Sequence, residues 1–131
     1  TTHARFMYNP IARMTAEDRH RGCGHGQSGL EDDIIIKHSA FALSFSAKHK
    51  QAEWVAYQLS KLEIENGYLP RVNSFIPDPK IPQLCASKYD YSNSNYDRGH
   101  LAPAADMKIS KIAMSESFYM SNISPQDPSF N

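Results

Sequence analysis

Between Ala40 and Ser46, Phe41, Leu43 and Phe45 fall on one side of an extended chain, and Ala42 and Ser44 fall on the other. A period of two fits a half-buried strand and does not fit a helix. Upstream, Ile34-Ile35-Ile36 is a β-branched run that also favours strand. No strong turn dipeptide marks Ser39, so the two runs also read as one bent strand. Lys50 to Glu65 carries both periods. Val55, Leu59 and Leu62 have helical spacing, while Trp54, Ala56 and Gln58 alternate with Val55, Tyr57 and Leu59. Trp, Val and Tyr prefer strands, which favours strand over 53–60. Gly67 and Pro70 end the segment.

Pro77, Pro79 and Pro82 make 76–88 a loop. Tyr89 to Tyr96 is a polar surface approach. Ser110 is a good N-cap for a helix running to about Phe118. Tyr119 to Ile123 reads as a short strand, after which Pro125 and Pro128 break the chain. The fold class expected is α+β, built on an antiparallel sheet. Residues 1–32 show little periodicity and hold Gly22, Gly24, Gly26 and Gly29 close together. They read as a poorly packed N-terminal arm ahead of a domain at 33–131, and the absence of an initiator Met at Thr1 reads as a trimmed start.

At 131 residues, 40% hydrophobic and 21% charged, the chain can bury one modest core. Lys plus Arg equals Asp plus Glu, 14 each, so any nucleic-acid contact must come from a local basic patch. No apolar run approaches the ~18 residues of a membrane span. Cys23 and Cys85 allow one bridge or two free thiols. His20, Cys23 and His25 supply only three soft donors, spaced unlike a structural zinc finger, which favours a flexible loop over a metal site.

The chemistry concentrates in Tyr96-Asp-Arg-Gly-His-Leu-Ala-Pro-Ala-Ala-Asp106. His100 has the one side chain that exchanges protons near neutral pH when unperturbed. Arg98 carries a planar fork that matches phosphate. Gly99 gives backbone freedom that would bring both toward a substrate. This combination points to phosphate chemistry with a general base. The alternative for Arg98 is simple pairing with Asp97, but a direct role is favoured. Asp97 is read as orienting its neighbours and Asn122 as holding backbone. His38 and His49 read as surface or strand-end residues, and Met107, Met114 and Met120 as core filler.

The block 96–106, followed by Phe118-Tyr-Met-Ser-Asn-Ile-Ser-Pro-Gln126, closely resembles the DNA/RNA non-specific endonuclease family, the endonuclease G-like branch of the ββα-metal nucleases. The resemblance extends upstream through His38–Phe45, Gln51–Tyr57 and Arg71–Pro79. It implies the N-terminal part of a ββα-metal fold and cleavage of phosphodiesters in DNA and RNA. It also implies that His100 is the general base, that Arg71 contacts substrate phosphate, and that Asn131, 31 residues after His100, is the sole direct protein ligand of Mg²⁺, with Mn²⁺ as a substitute. Family members continue past this asparagine, so a complementary C-terminal segment or second chain is expected, and a homodimer is compatible. The implied location is export for a bacterial protein, the favoured case, or the mitochondrion for a eukaryotic one. The competing expectation is an inactive fragment that binds nucleic acid or a protein without turnover.

Overall fold

The structure is a computed structural model that describes residues 2–9 and 34–130. Among the described residues there are six strands. They are β1 (Thr2–Tyr8), β2 (Ile34–Lys37), β3 (Phe41–Ser46), β4 (Gln51–Ser60), β5 (Asp97–His100) and β6 (Ile123–Gln126). Two α-helices, α1 (Lys61–Asn66) and α2 (Lys111–Ser117), and three short 3-10 turns complete the described residues. The first four strands form one antiparallel sheet in the order β1-β4-β3-β2, and β5 and β6 form a separate antiparallel ribbon. The α+β class therefore holds.

Register explains the core. Leu43 stands opposite Ile36 on one side and Val55 on the other, and all three are buried. Phe41 pairs with Tyr57, and past an irregularity at Ser44 and Phe45 the next pair is Phe45 with Ala52. The side chains of this row pack with Leu101, Ala102, Met107 and Ala113 in one cluster. A smaller cluster joins Ala104, Met114 and Phe118, with Phe75 against it. Met107, Met114 and Met120 are buried, as core filler should be.

Several expectations change. Residues 34–46 are a tight hairpin and not one bent strand: the His38 N–H donates to the Phe41 carbonyl at 2.8 Å, closing the turn. Strand wins over helix at 51–60 because β4 is paired along both edges, by β1 and β3. Leu62, given helical spacing with Val55 and Leu59, instead sits exposed on α1, which begins only at a capping box between Ser60 and Glu63. Tyr119 to Ile123 is mostly a 3-10 turn, and the strand starts at Ile123 and runs through Pro125. Pro125 is tolerated because β6 is the edge of a two-stranded ribbon. The expected arm fails over Thr2–Tyr8, which pairs with β4 from Thr2 opposite Ser60 to Tyr8 opposite Trp54. That strand leaves every side chain exposed, so it has no burial period to read. The Gly-rich stretch with His20, Cys23 and His25 lies outside the described residues.

Candidate active site

The β5–β6 ribbon carries the motif. Asp97 pairs with Gln126, Gly99 with Ser124 and His100 with Ile123. A Cβ at Gly99 would lie 2.4 Å from Gln126 Oε1 and 2.7 Å from its Cβ. Gly99 is thus required by the close passage of Gln126. Its φ lies outside the left-handed range, so the backbone-freedom reading is corrected to one of space.

Immediately after His100 the chain is locked from behind. The Leu101 N–H donates to the Asn122 carbonyl at 2.9 Å. The fully buried Asn122 side chain accepts from the Ala102 N–H at 2.9 Å, and donates to the Ala102 carbonyl at 3.0 Å and the Ser117 carbonyl at 2.9 Å. One amide ties the exit of β5 to the end of α2. Asp106, the last residue of the motif, accepts from the Tyr57 hydroxyl at 2.6 Å and anchors the same segment to β4.

The His100 ring stands edge-on to Phe118, centroids 4.6 Å apart, and 5.8 Å from Phe75. Its Nε2 is enclosed and has no hydrogen-bond partner. Burial, then the nearby Arg71 charge, pushes its pKa down to about 4. The ring is therefore neutral at neutral pH. The two arginines lie on the same aromatic pair: the Arg98 guanidinium is 4.3 Å from the Phe75 centroid, and that of Arg71 is 5.2 Å from the Phe118 centroid. Asn73, at φ 51°, turns its side chain to accept from Arg71 Nε at 2.7 Å. These groups border a cleft of about 470 Å³ lined by Arg71, Asn73, Phe75, Asp97 and Arg98 on this side.

The structure thus brings together Arg71, Asp97, Arg98 and His100, with Asn122 behind them. Asn131 lies outside the described residues. Phe75 and Phe118, which seat both arginines and the imidazole, were not legible as site residues, since two aromatics so far apart in sequence carry no joint signal.

His38 follows the last residue of β2, as a strand-end residue should, but it departs from the surface reading. Its side chain is only 4% exposed, with Nε2 2.6 Å from Asp78 Oδ2 and Nδ1 3.1 Å from Glu116 Oε2. Ser121 Oγ donates to the same Asp78 oxygen at 2.6 Å, and the Ser39 N–H donates to Glu116 Oε2 at 2.9 Å. Burial pushes the Asp78 carboxyl up, but bonds from His38, Ser121 and the Lys80 N–H together hold it below its ordinary value. This network joins the β2–β3 turn, the proline loop, α2 and the 120–122 turn. Only the Pro77-Asp78-Pro79 string hints at it.

The sequence profile of the DNA/RNA non-specific endonuclease family matches residues 23–131. The chain is 36% identical over 126 residues to the mitochondrial nuclease EXOG of Danio rerio, covering 93% of this chain and 36% of that protein. It is 42% identical to the human mitochondrial nuclease EXOG, covering 79% and 28% respectively. A chain in the crystal structure of the EndoG/EndoGI complex superposes with a TM-score of 0.65 at 30% identity, over 77% of this chain and 40% of that one. The chain therefore spans about a third of the length of these relatives. The β5–β6 ribbon with its histidine, the antiparallel sheet behind it and these similarities agree: the chain belongs to the DNA/RNA non-specific endonuclease family and carries part of the ββα-metal fold.

Proposed function

We propose that the protein containing this chain is a metal-dependent endonuclease that hydrolyses phosphodiester bonds in DNA and RNA. The observation that carries this reading is the His100 environment. A neutral imidazole with an enclosed, unpartnered nitrogen packs against Phe75 and Phe118, the rings on which Arg98 and Arg71, two residues of the cleft wall, also lie. An unsatisfied buried polar atom costs about 1–3 kcal/mol, which a purely structural histidine has no reason to bear. As general base, His100 would take a proton from the attacking water, a contribution of about 10²–10⁴ in rate. Arg71 and Arg98 would hold the non-bridging oxygens, where negative charge grows toward the transition state. Asn122 would keep the imidazole aligned through the Leu101 and Ala102 backbone.

Among the described residues no three His, Cys, Asp or Glu side chains form a metal-holding group. The metal of this reading is Mg²⁺, a hard ion that keeps most of its water and needs few protein donors, with Mn²⁺ as a substitute. Asn131 is the proposed protein ligand. When bound, the ion would supply Lewis-acid stabilisation of the phosphorane and of the leaving oxygen. Backbone-directed contacts without base-reading side chains accord with action on both nucleic acids. The names of several relatives place those proteins in the mitochondrion, which favours that location if the source is eukaryotic, and nothing adds weight to bacterial export. The test is plasmid nicking and RNA cleavage by the complete protein with Mg²⁺ and with EDTA. Cleavage of neither substrate would overturn the proposal.

A further inference from the structure

The cleft beside Arg71 and Arg98 has another wall, which the chemistry above does not use. It is made by Lys88, Tyr91, Ser92 and Tyr96. The segment that carries it is held internally. The Ser87 N–H donates to Asp90 Oδ2 at 2.8 Å and the Tyr89 N–H to Ser87 Oγ at 3.2 Å, a reciprocal cap on the 88–91 turn. Ser94 Oγ then donates to the Tyr91 carbonyl at 2.7 Å and accepts from the Tyr96 N–H at 3.2 Å. Asn93 and Asn95 stand at φ 61° and 65°, the left-handed region that Asn tolerates better than other side chains, and so shape the tight turns of this segment.

This lobe is therefore a preformed surface, and its charge is distinctive. The chain as a whole is neutral, yet the cleft is lined by three cations, Arg71, Lys88 and Arg98, against the single carboxylate of Asp97. Burial and then Asp90 push the Tyr91 hydroxyl up to about 12. Lys88 is exposed, with its ammonium 5.4 Å from the Tyr89 ring centroid. A volume of about 470 Å³ suits one nucleotide-sized ligand.

We propose that this lobe is a nucleotide subsite next to the scissile phosphate. Lys88 takes the neighbouring phosphodiester, and the half-exposed ring of Tyr96 offers a stacking face to the base between them. The inference rests on the phosphodiesterase reading and adds a substrate preference to it: a base can reach Tyr96 only from a single strand or a locally opened duplex.

The experiment uses the complete protein and its Lys88→Met variant. One substrate is a thymidine dinucleoside with a single phosphodiester, and the other is a trinucleoside in which each bond has a neighbouring phosphate. The ratio of kcat/KM for trimer over dimer should fall about fivefold in the variant, through KM, the size of an exposed charged contact. Independently, binding of single-stranded oligothymidylate in EDTA should show a slope of log K against log salt that is about 0.7 shallower, one phosphate contact fewer. An unchanged ratio together with an unchanged slope would overturn the subsite. Failure of the unmodified protein to cleave either substrate with Mg²⁺ or Mn²⁺ would overturn the nuclease reading instead, and the EDTA slope would still decide the subsite.

Discussion

Among the described residues, His38 and His100 are both enclosed but have opposite surroundings. His38 has a carboxylate at each ring nitrogen, and its partners are themselves bonded to Ser121 and to backbone N–H groups. His100 has aromatic rings on its flanks, arginines nearby and an enclosed Nε2 bonded to nothing. The first arrangement satisfies its polar groups within the fold. The second leaves one ring nitrogen unsatisfied within the described residues. Burial alone would rank the two together; hydrogen-bond accounting separates them.

The largest effect that tests this contrast is on turnover. His100→Ala in the complete protein should lower the rate of plasmid nicking by at least about 10²-fold while leaving the urea midpoint nearly in place. A loss below about tenfold would place the base elsewhere.

His38→Ala should do the reverse at the level of stability. It strips Asp78 and Glu116 of their shared partner and leaves buried carboxylates facing each other, a cost of about 3–5 kcal/mol in urea unfolding. If His38→Ala proved silent and His100→Ala unfolded the protein, the assignment of the two histidines would have to be exchanged.

A smaller effect is expected at Gly99. Ala there must displace Gln126, and overpacking of this kind costs about 1–3 kcal/mol. Trimming the neighbour in the Gly99→Ala, Gln126→Ala pair should recover most of that loss relative to Gln126→Ala alone. Failure to recover would mean that Gly99 serves backbone conformation after all.

The subtlest test is pH. The His100 pKa is depressed in the fold from 6.5 to about 4. Its contribution to stability is then complete above about pH 6.5. It is lost as pH falls toward about 4, because the unfolded chain binds a proton that the folded ring refuses. The acid limb of kcat/KM for the free enzyme should likewise fall nearer pH 4 than 6.5. An acid limb centred at 6.5 would show that the ring is solvated in the free enzyme.

Local pattern accounts for much of the fold and part of the site. Phe41, Leu43 and Phe45 announce a strand because each must bury the same face, and Ser110 announces a helix because its hydroxyl caps an orphan N–H. The Asp97–His100 block is recognisable because its residues are contiguous. Thr2–Tyr8 escapes such reading because an edge strand that buries nothing has no period. The enclosure of the His38 side chain is missed because its partners lie 40 and 78 positions away in sequence, where no local pattern can point to them.

The amino-acid sequence by itself determined several elements and the candidate groups: period-two patterning in β3 and β4, the β-branched run of β2, the cap at Ser110, and an imidazole and an arginine held two residues apart. Tertiary structure alone decided what each group became. It set Phe75 and Phe118 beneath the two arginines, left His100 Nε2 without a partner, and closed Asp78 and Glu116 onto His38. The physical reason is range. Backbone propensity and side-chain periodicity act over a few residues, whereas desolvation and hydrogen-bond satisfaction depend on what the fold brings from far along the chain.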